Sequence, residues 1–153
     1  MFKIIRIIPE QGNLVYELFD QYRVFYKQSS DIESAKNFIQ TRLDNNESII
    51  FVALEASSLR PVGFTQLYPI YSSVRVTRNW LLNDLYVEKD FRKKGIGEAL
   101  IRTVMDFAQN QHAKFVELST ATDNYTAQSL YEQLGFIRQA PDTDFYTYRI
   151  ELK

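Results

Sequence analysis

Hydrophobic positions in the first half of the chain alternate between strand-like runs and helical spacing. The β-branched stretch at residues 2–8 ends at Pro9, which favours a strand followed by a turn. Ser30 precedes Glu33 by three residues, a capping-box pattern that predicts the start of a helix. The elements predicted for this half are a strand at 2–8, helices at 13–26 and from about 30 to 43, and a hairpin of strands at 48–55 and 62–71.

The second half predicts strands and helices that follow one another in turn. Residues 80–87 form a hydrophobic run typical of a buried strand, and amphipathic spacing predicts a helix from Gly95 to about residue 111. The other elements predicted here are a short strand at 114–118, a helix at 125–134 closed by Gly135, and final strands at 136–137 and 145–152. The pattern over residues 1–153 therefore predicts one domain of mixed α/β or α+β class around a central sheet.

Composition and charge narrow the classes of function. The 153 residues are 45% apolar with a formal net charge of −1, which indicates a folded globular protein and gives no support for nucleic-acid binding. The absence of cysteine excludes a disulfide scaffold and a cysteine nucleophile, and it fits a reducing cytoplasm. Apolar runs are too short to cross a membrane, and the single histidine, His112, gives no zinc site or catalytic triad.

The stretch Arg92-Lys93-Lys94-Gly95-Ile96-Gly97 joins the predicted strand at 80–87 to the helix that follows it. Free N–H groups at a helix start favour an anion, and two glycines permit close approach of the backbone. A P-loop needs Lys-Ser or Lys-Thr after its last glycine, and a dinucleotide fold needs a third glycine where Leu100 stands. The motif that remains indicates a phosphate site or, alternatively, a solvated basic turn.

A second motif runs from Asn124 through Ala127 to Leu130-Tyr131-Glu132-Gln133-Leu134-Gly135-Phe136. Together with Leu85-Tyr86-Val87 and the glycine loop, over residues 80–137, it resembles the GNAT superfamily of N-acetyltransferases. The resemblance implies a central, mostly antiparallel, splayed sheet of about six or seven strands with helices on both faces. It also implies acetyl-coenzyme A (acetyl-CoA) as the co-substrate, with no metal ion.

The resemblance assigns the binding of acetyl-CoA to three parts of the chain. Backbone N–H groups of the glycine loop would hold the pyrophosphate, and basic side chains would suit the adenosine phosphates. The strand before the loop would pair with the pantetheine arm, and an asparagine would lie near that arm. The residues implied are Leu85, Tyr86, Val87, Arg92, Lys93, Lys94, Gly95, Ile96, Gly97, Glu98, Asn124 and Tyr131.

Tyr131 matches the general acid of the family. Acyl transfer releases a thiolate whose conjugate thiol has a pKa of about 8.5, against about 10 for tyrosine, so a tyrosine can stay protonated and donate to the sulfur. The spacing of Tyr131 from Ala127 and Leu134 also fits an ordinary core tyrosine.

The general base is open between Asp84, Glu117 and water. Some family members use a glutamate where this chain has Ser119, and Glu117 lies two residues earlier. Asp84 interrupts an apolar run, which is costly unless it has a partner or a role as base or anionic anchor. Its structural alternative is a carboxylate held by backbone or by an arginine such as Arg75 or Arg78. The lack of cysteine favours direct transfer.

The acceptor region implied by the resemblance is rich in aromatic and acidic residues, which suit an amine through cation–π contact and charge. The residues are Tyr16, Tyr22, Phe25, Tyr26, Gln66, Tyr68 and Tyr71, with Glu17, Asp20, Asp31 and Glu33. The alternative is that these aromatics are core and these acids are solvated helix faces. The prediction is an N-acetyltransferase acting on a small, polyamine-like molecule or on a peptide lysine or N-terminus. A non-catalytic acetyl-CoA sensor or interaction module is the alternative.

The aromatic residues near the end of the chain bear on assembly. Phe145, Tyr146 and Tyr148 lie in the last predicted strand. Such a strand is expected either to cap the edge of the sheet or to pair with a second copy in a homodimer.

Overall fold

The computed structural model describes all 153 residues as two compact units, Met1–Ser119 and Thr120–Lys153. Short 3₁₀ segments at Pro9–Leu14 and Lys89–Phe91 connect elements of the first unit, and the second unit holds one helix. The elements are β1 (Phe2–Arg6), α1 (Tyr16–Phe25), α2 (Ile32–Asp44), β2 (Ile49–Glu55), β3 (Pro61–Ser72), β4 (Thr77–Val87), α3 (Ile96–Asn110), β5 (Val116–Glu117) and, in the second unit, α4 (Tyr125–Gln133).

The five strands form one sheet in the order β1-β2-β3-β4-β5. The first four strands pair antiparallel through consecutive neighbours, whereas β5 runs parallel to β4. The parallel pairing involves only Trp80 with Val116 and Leu81 with Glu117. The last six residues of β4 therefore have no strand partner on that side.

Helices cover both faces of the sheet, as predicted. Ile50, Val52 and Leu54 of β2 pack on one face with the buried side chains of α1 and α2. The intervening residue Phe51 points to the other face, where its ring contacts that of Phe107 on α3 at 5.7 Å between centroids. This alternation follows from the two-residue period of a strand. A strand with two apolar faces becomes the centre of a three-layer arrangement.

A β-bulge in β4 fixes the position of Asp84. Gln66 on β3 pairs with Asp84, but the next residue of β3, Leu67, pairs with Leu82. Asn83 is therefore an extra residue on β4, and such a residue bends its strand locally. The bulge leaves the Asp84 side chain 2% exposed on the face covered by α1 and α2.

The sheet has five strands, fewer than the six or seven predicted, because the final strands at 136–137 and 145–152 are absent. Phe145, Tyr146 and Tyr148 belong to no strand, so the prediction that they lie in a last strand was wrong. A strand exists only where a neighbour completes its hydrogen-bond ladder. β propensity in this segment therefore did not suffice to predict strands.

Two smaller predictions about helix starts were also wrong. The cap of α2 is Asp31, whose carboxylate accepts from the backbone N–H of Ser34 at 3.1 Å, whereas the hydroxyl of Ser30 donates to Asp20 at 2.6 Å. A cap is decided by which side chain reaches the free N–H groups, and here aspartate reaches them from one position later. The predicted start of the first helix at residue 13 falls in the 3₁₀ segment instead.

Candidate functional site

The backbone of the glycine loop takes a conformation suited to an anion. Lys93 and Gly95 lie in the left-handed region, with φ of 61° and 83°. The first backbone hydrogen bond of α3 runs from the N–H of Ala99 to the carbonyl of Gly95 at 3.0 Å, so the N–H groups of residues 96–98 have no acceptor within the helix. Consecutive free N–H groups at a helix start form a concave anion site.

The two glycines of this loop differ in their backbone conformation and in the space around them. Gly95 has a backbone conformation that a side chain would strain, and a Cβ built there meets nothing within 4 Å. A Cβ on Gly97 would meet only the Cγ2 atom of Val87, at 4.0 Å. The protein itself therefore leaves room for a side chain at Gly97, and the surface above the loop is open to a ligand.

Arg92 is fixed at the end of β4 by several contacts. Its Nε donates to the carbonyl of Val87 at 2.8 Å, and its guanidinium lies over the rings of Tyr86 and Phe25 at 5.4 and 5.6 Å. These three residues also line an open cavity of about 430 Å³ beside α1. Lys94 lies over the ring of Phe91 at 5.2 Å. The loop thus combines free N–H groups with cations held by aromatic faces.

A second cavity, of about 370 Å³, lies between the two N-terminal helices and the sheet. Its lining comes from α1, α2, β3 and β4 and is both aromatic and polar. The residues are Phe19, Tyr22, Arg23, Ser34, Phe38, Tyr68, Asn83 and Asp84. We call it the Asp84 cavity.

The carboxylate of Asp84 is held by amides rather than by a cation. Gln66 donates to one oxygen, and Asn83 donates to the other at 2.8 Å. Gln66 is oriented for this because its own carbonyl accepts from the hydroxyl of Ser48 at 2.8 Å. Arg78 instead donates to Gln111, so the expectation that an arginine such as Arg75 or Arg78 satisfies Asp84 was wrong.

Burial is the main influence on titration in the Asp84 cavity. It raises the pKa of Asp84 above the ordinary value, and the hydrogen bonds from Gln66, Asn83 and Tyr22 only partly oppose it. Burial and the nearby Asp84 charge raise the pKa of Tyr68 to about 12 and raise that of Tyr22 further. Both phenols are therefore neutral donors at pH 7, whereas the pKa of Asp84 is shifted upward, toward neutral pH.

Arg23 is a charged residue of the cavity that the sequence analysis did not single out. One of its terminal nitrogens, Nη1, is buried with no hydrogen-bond partner. A buried donor without an acceptor costs about 1–3 kcal/mol, and more when charged. Arg23 lies four residues after Phe19, on the same face of α1, and that helical spacing was the signal available in the sequence.

Most of the acidic residues expected in the acceptor region lie elsewhere. The carboxylate of Asp20 accepts from Ser30 and from the N–H of Asp31 at 2.6 and 2.8 Å, and Asp31 caps α2, so both have structural partners. Glu17 and Glu33 are exposed on their helices, and Glu117 is exposed on β5. Asp84 is the carboxylate that lines the cavity.

The aromatic residues expected there divide in the same way. Tyr22 and Tyr68 line the Asp84 cavity. Tyr16 donates to Gln40, while Phe25, Tyr26 and Tyr71 are 57–72% exposed. The structure therefore brings two of the six predicted aromatics to the Asp84 cavity, with Gln66 behind the carboxylate.

The second unit holds the two remaining predicted site residues on one helix. Asn124 caps α4, since its side-chain oxygen accepts from the N–H of Ala127 at 3.1 Å. Tyr131 is half-buried, and its ring lies 6.0 Å from that of Phe136 between centroids. Gly135 ends this region with a φ of 99°. The asparagine therefore has a clear structural role whatever else it does.

Residues 13–136 match the family model for the acetyltransferase (GNAT) family. The chain belongs to the GNAT family. The match includes the glycine loop, the Asp84 cavity and the helix that carries Tyr131. As a member of this family the protein is an acyltransferase, and the family uses acetyl-CoA as donor.

Individual proteins agree with the family assignment. YhfO of Bacillus subtilis, an uncharacterised N-acetyltransferase, is 45% identical over 131 residues, covering 86% of this chain and 85% of the relative. The crystal structure of a probable acetyltransferase superposes with a TM-score of 0.87 at 36% identity, covering 99% of this chain and 98% of that one. AAC(6')-Iy in complex with the bisubstrate analogue CoA-S-monomethyl-acetylneamine has the same fold, with a TM-score of 0.77 at 18% identity and 98% and 99% coverage.

No helix of this GNAT protein has the length and apolar content that a membrane span requires. The structure also contains no cluster of three or more histidine, aspartate or glutamate residues that could hold a metal ion.

Proposed function

We propose that the protein transfers an acetyl group from acetyl-CoA directly to a primary amine. The acceptor is a small, polyamine-like molecule or a lysine or N-terminus of a peptide. The observation that carries this proposal is the buried carboxylate of Asp84 in a cavity, one residue before Leu85 on the strand that leads to the glycine loop. A base and a donor site on one strand are the parts that acyl transfer to an amine needs.

The donor side fits the phosphates of acetyl-CoA. The left-handed residues of the loop and the free N–H groups at the start of α3 suit the pyrophosphate, and Arg92, Lys93 and Lys94 add positive charge. The pairing with β5 ends at Leu81, which leaves one edge of β4 unpaired at Leu85, Tyr86 and Val87, where the pantetheine arm would pair with the backbone. Bound there, acetyl-CoA supplies an activated thioester.

Asp84 is the proposed base and anchor for the amine. An alkyl ammonium has a pKa near 10 and must lose a proton before nitrogen can attack a carbonyl. The ionised Asp84 carboxylate first attracts the ammonium and then accepts its proton, and the raised pKa brings the carboxylate closer to the working pH of such a base. The phenols of Tyr22 and Tyr68 stay neutral and offer aromatic faces to the cation.

Tyr131 is the proposed general acid. Its Oη would donate the proton that the departing sulfur takes up, which keeps the reverse reaction slow. Asn124, whose carbonyl oxygen is used in capping α4, would contribute to the donor site through its remaining amide group. Both assignments rest on the match of these residues to the family motif.

A thiol-release assay with acetyl-CoA and a panel of primary amines tests the proposal. We expect release that depends on the amine, with an acetylated amine as the product by mass spectrometry. Tight binding of acetyl-CoA with no acetylated product from any amine would instead support the sensor or interaction module. Release at the same rate with and without amine would show hydrolysis and would contradict direct transfer.

A further inference from the structure

The Asp84 cavity contains a cation that has no partner. Arg23 lines the cavity, and its buried Nη1 makes no hydrogen bond. Its charge helps to lower the pKa of Asp31, but the two oxygens of that carboxylate already accept from the backbone N–H and the hydroxyl of Ser34. Arg23 therefore lines the cavity with an N–H donor group, Nη1, that makes no hydrogen bond within the protein.

Asp84 and Arg23 are not paired with each other. The carboxylate is held by the amides of Gln66 and Asn83 and lies near the phenol of Tyr22. No ion pair of the structure includes either charged group. The cavity is thus lined by an anion, Asp84, and a cation, Arg23, that form no ion pair with each other.

We propose that the acceptor is an amine that also carries an anionic group, as an amino acid does. Its ammonium would bind at Asp84, and its carboxylate would bind at Arg23 as a charge-assisted, planar pair. Because a polycation would place a second positive charge near Arg23, the cavity disfavours polyamines. This inference rests on the proposed function and narrows its acceptor.

The size and lining of the cavity agree with such a ligand. A volume of about 370 Å³ lies near the lower end of the usual range for small-molecule sites. Phe19, Phe38 and Tyr68 add apolar surface to the same cavity, and the Ser34 hydroxyl already donates to Asp31. The lining therefore suits a compact zwitterion with an apolar or aliphatic side chain.

Matched acceptors that differ only in charge test the inference. Lysine, phenylalanine and γ-aminobutyrate would be compared with their primary amides, which have nearly the same shape but no carboxylate. We expect kcat/KM for the best acid to exceed that for its amide by at least about tenfold, mostly through KM, as a charged hydrogen bond would give. Equal or better use of all the amides would overturn the inference and leave the proposed function intact.

Variants of Arg23 connect the preference to this side chain. Arg23→Gln should reduce the acid-to-amide ratio to near one, Arg23→Lys should restore part of it, and Lys36→Gln should keep it. Lys36→Gln is the control because it also removes one positive charge, from α2. Lys36 lies over the ring of Tyr16 and does not line the cavity. A ratio that survives in a folded Arg23→Gln protein would contradict the inference.

Binding without turnover separates this inference from the proposed function. Calorimetry would measure the affinity of each acid and its amide in the presence of CoA. Tighter binding of the acid that Arg23→Gln removes, with no product from any amine, would refute the proposed function but support the anion site. No product and no Arg23-dependent binding would refute both.

Discussion

The glycine loop and the Asp84 cavity are built in opposite ways. The loop is a continuous stretch, residues 92–98, and its properties come mainly from backbone: two left-handed residues and the free N–H groups at the start of α3. The cavity is lined by eight residues from four elements, which lie between Phe19 and Asp84 in the chain. One region is set by local conformation, whereas the other depends on the packing of helices on the sheet.

This difference explains why the donor can be identified and the acceptor cannot be identified to the same degree. A backbone site needs only a few glycines and a helix start, so many chains with different side chains can share it. A side-chain site changes whenever one lining residue changes. Binding at the loop should therefore tolerate substitutions of neighbouring side chains but not of the glycines. Binding in the cavity should change with each polar side chain that is replaced.

Loss of the Asp84 carboxylate should have the largest effect. In Asp84→Asn we expect kcat to fall about 100- to 10,000-fold, which is the usual size of a general-base contribution, with little change in the affinity for acetyl-CoA. The rise of kcat with pH through the raised pKa of Asp84 should also disappear, so that only the titration of the amine remains. Steady-state kinetics between pH 5 and 9 would measure both.

Asp106→Asn is the matched control for this change. Asp106 is exposed on α3 and is not part of the cavity lining, so its loss should leave kcat and the pH profile unchanged. A folded Asp84→Asn protein with wild-type kcat would mean that water, or Glu117, removes the proton.

Tyr131→Phe should have the next largest effect. Removing the phenolic hydroxyl should lower kcat about 100-fold, because the departing thiolate then lacks its proton donor. Tyr125→Phe changes the same atom at a 72% exposed position of the same helix and should have no effect. The two variants would be compared by thiol release at saturating substrates. Equal rates for both, with unchanged stability, would favour the simple reading of Tyr131 as a core tyrosine.

The sequence predicted the boundaries of the elements on either side of the loop because the signals there are local. The strand before it ends at Val87, as predicted, and α3 begins at Ile96, one residue after the predicted start at Gly95. The sequence also indicated that Asp84 is buried, since it interrupts an apolar run, where a carboxylate is costly unless it has a partner or a role. Its partners were not foreseen, because they depend on the register of β3 against β4 and on the extra residue Asn83.

The missing final strands and the burial of Arg23 could not be predicted from the sequence because both depend on contacts between distant segments. The aromatic pattern at 145–152 has strand character, but nothing in one sequence says whether a neighbouring strand will pair with it. Helical spacing places Arg23 on the Phe19 face of α1, but the burial of its Nη1 and the cavity it shares with α2 and β4 depend on tertiary packing. Long-range pairing and enclosure are properties of the assembled sheet and helices, so the acceptor side could be predicted only as a region.

Gly97→Ala should separate ligand binding from folding at the donor side. A Cβ there has room within the protein, and alanine is favoured over glycine in a helix by about 0.5–1 kcal/mol, so stability should not fall. If the proposed phosphate site is correct, the added Cβ would hinder close approach of the phosphates to the backbone, and we expect the Kd for acetyl-CoA to rise about tenfold. Calorimetry and thermal unfolding would measure the two effects. Unchanged affinity would mean that the phosphates do not approach Gly97.

The smallest effect expected is a change of stability with pH that comes from Asp84. Since burial raises its pKa, the folded protein keeps this proton to a higher pH than the unfolded chain does. The stability that Asp84 contributes is thus fully present below the unfolded pKa of about 3.9 and is lost as pH rises through the folded pKa. Asn at position 84 has no such loss. The melting temperature of Asp84→Asn relative to the wild type should therefore rise between pH 4 and pH 7, by roughly 2–4 °C for each kcal/mol of difference. A relative melting temperature that stays constant or falls over this range would mean that Asp84 is not destabilised by burial, and the case for it as a poised base in the cavity would lose its physical ground.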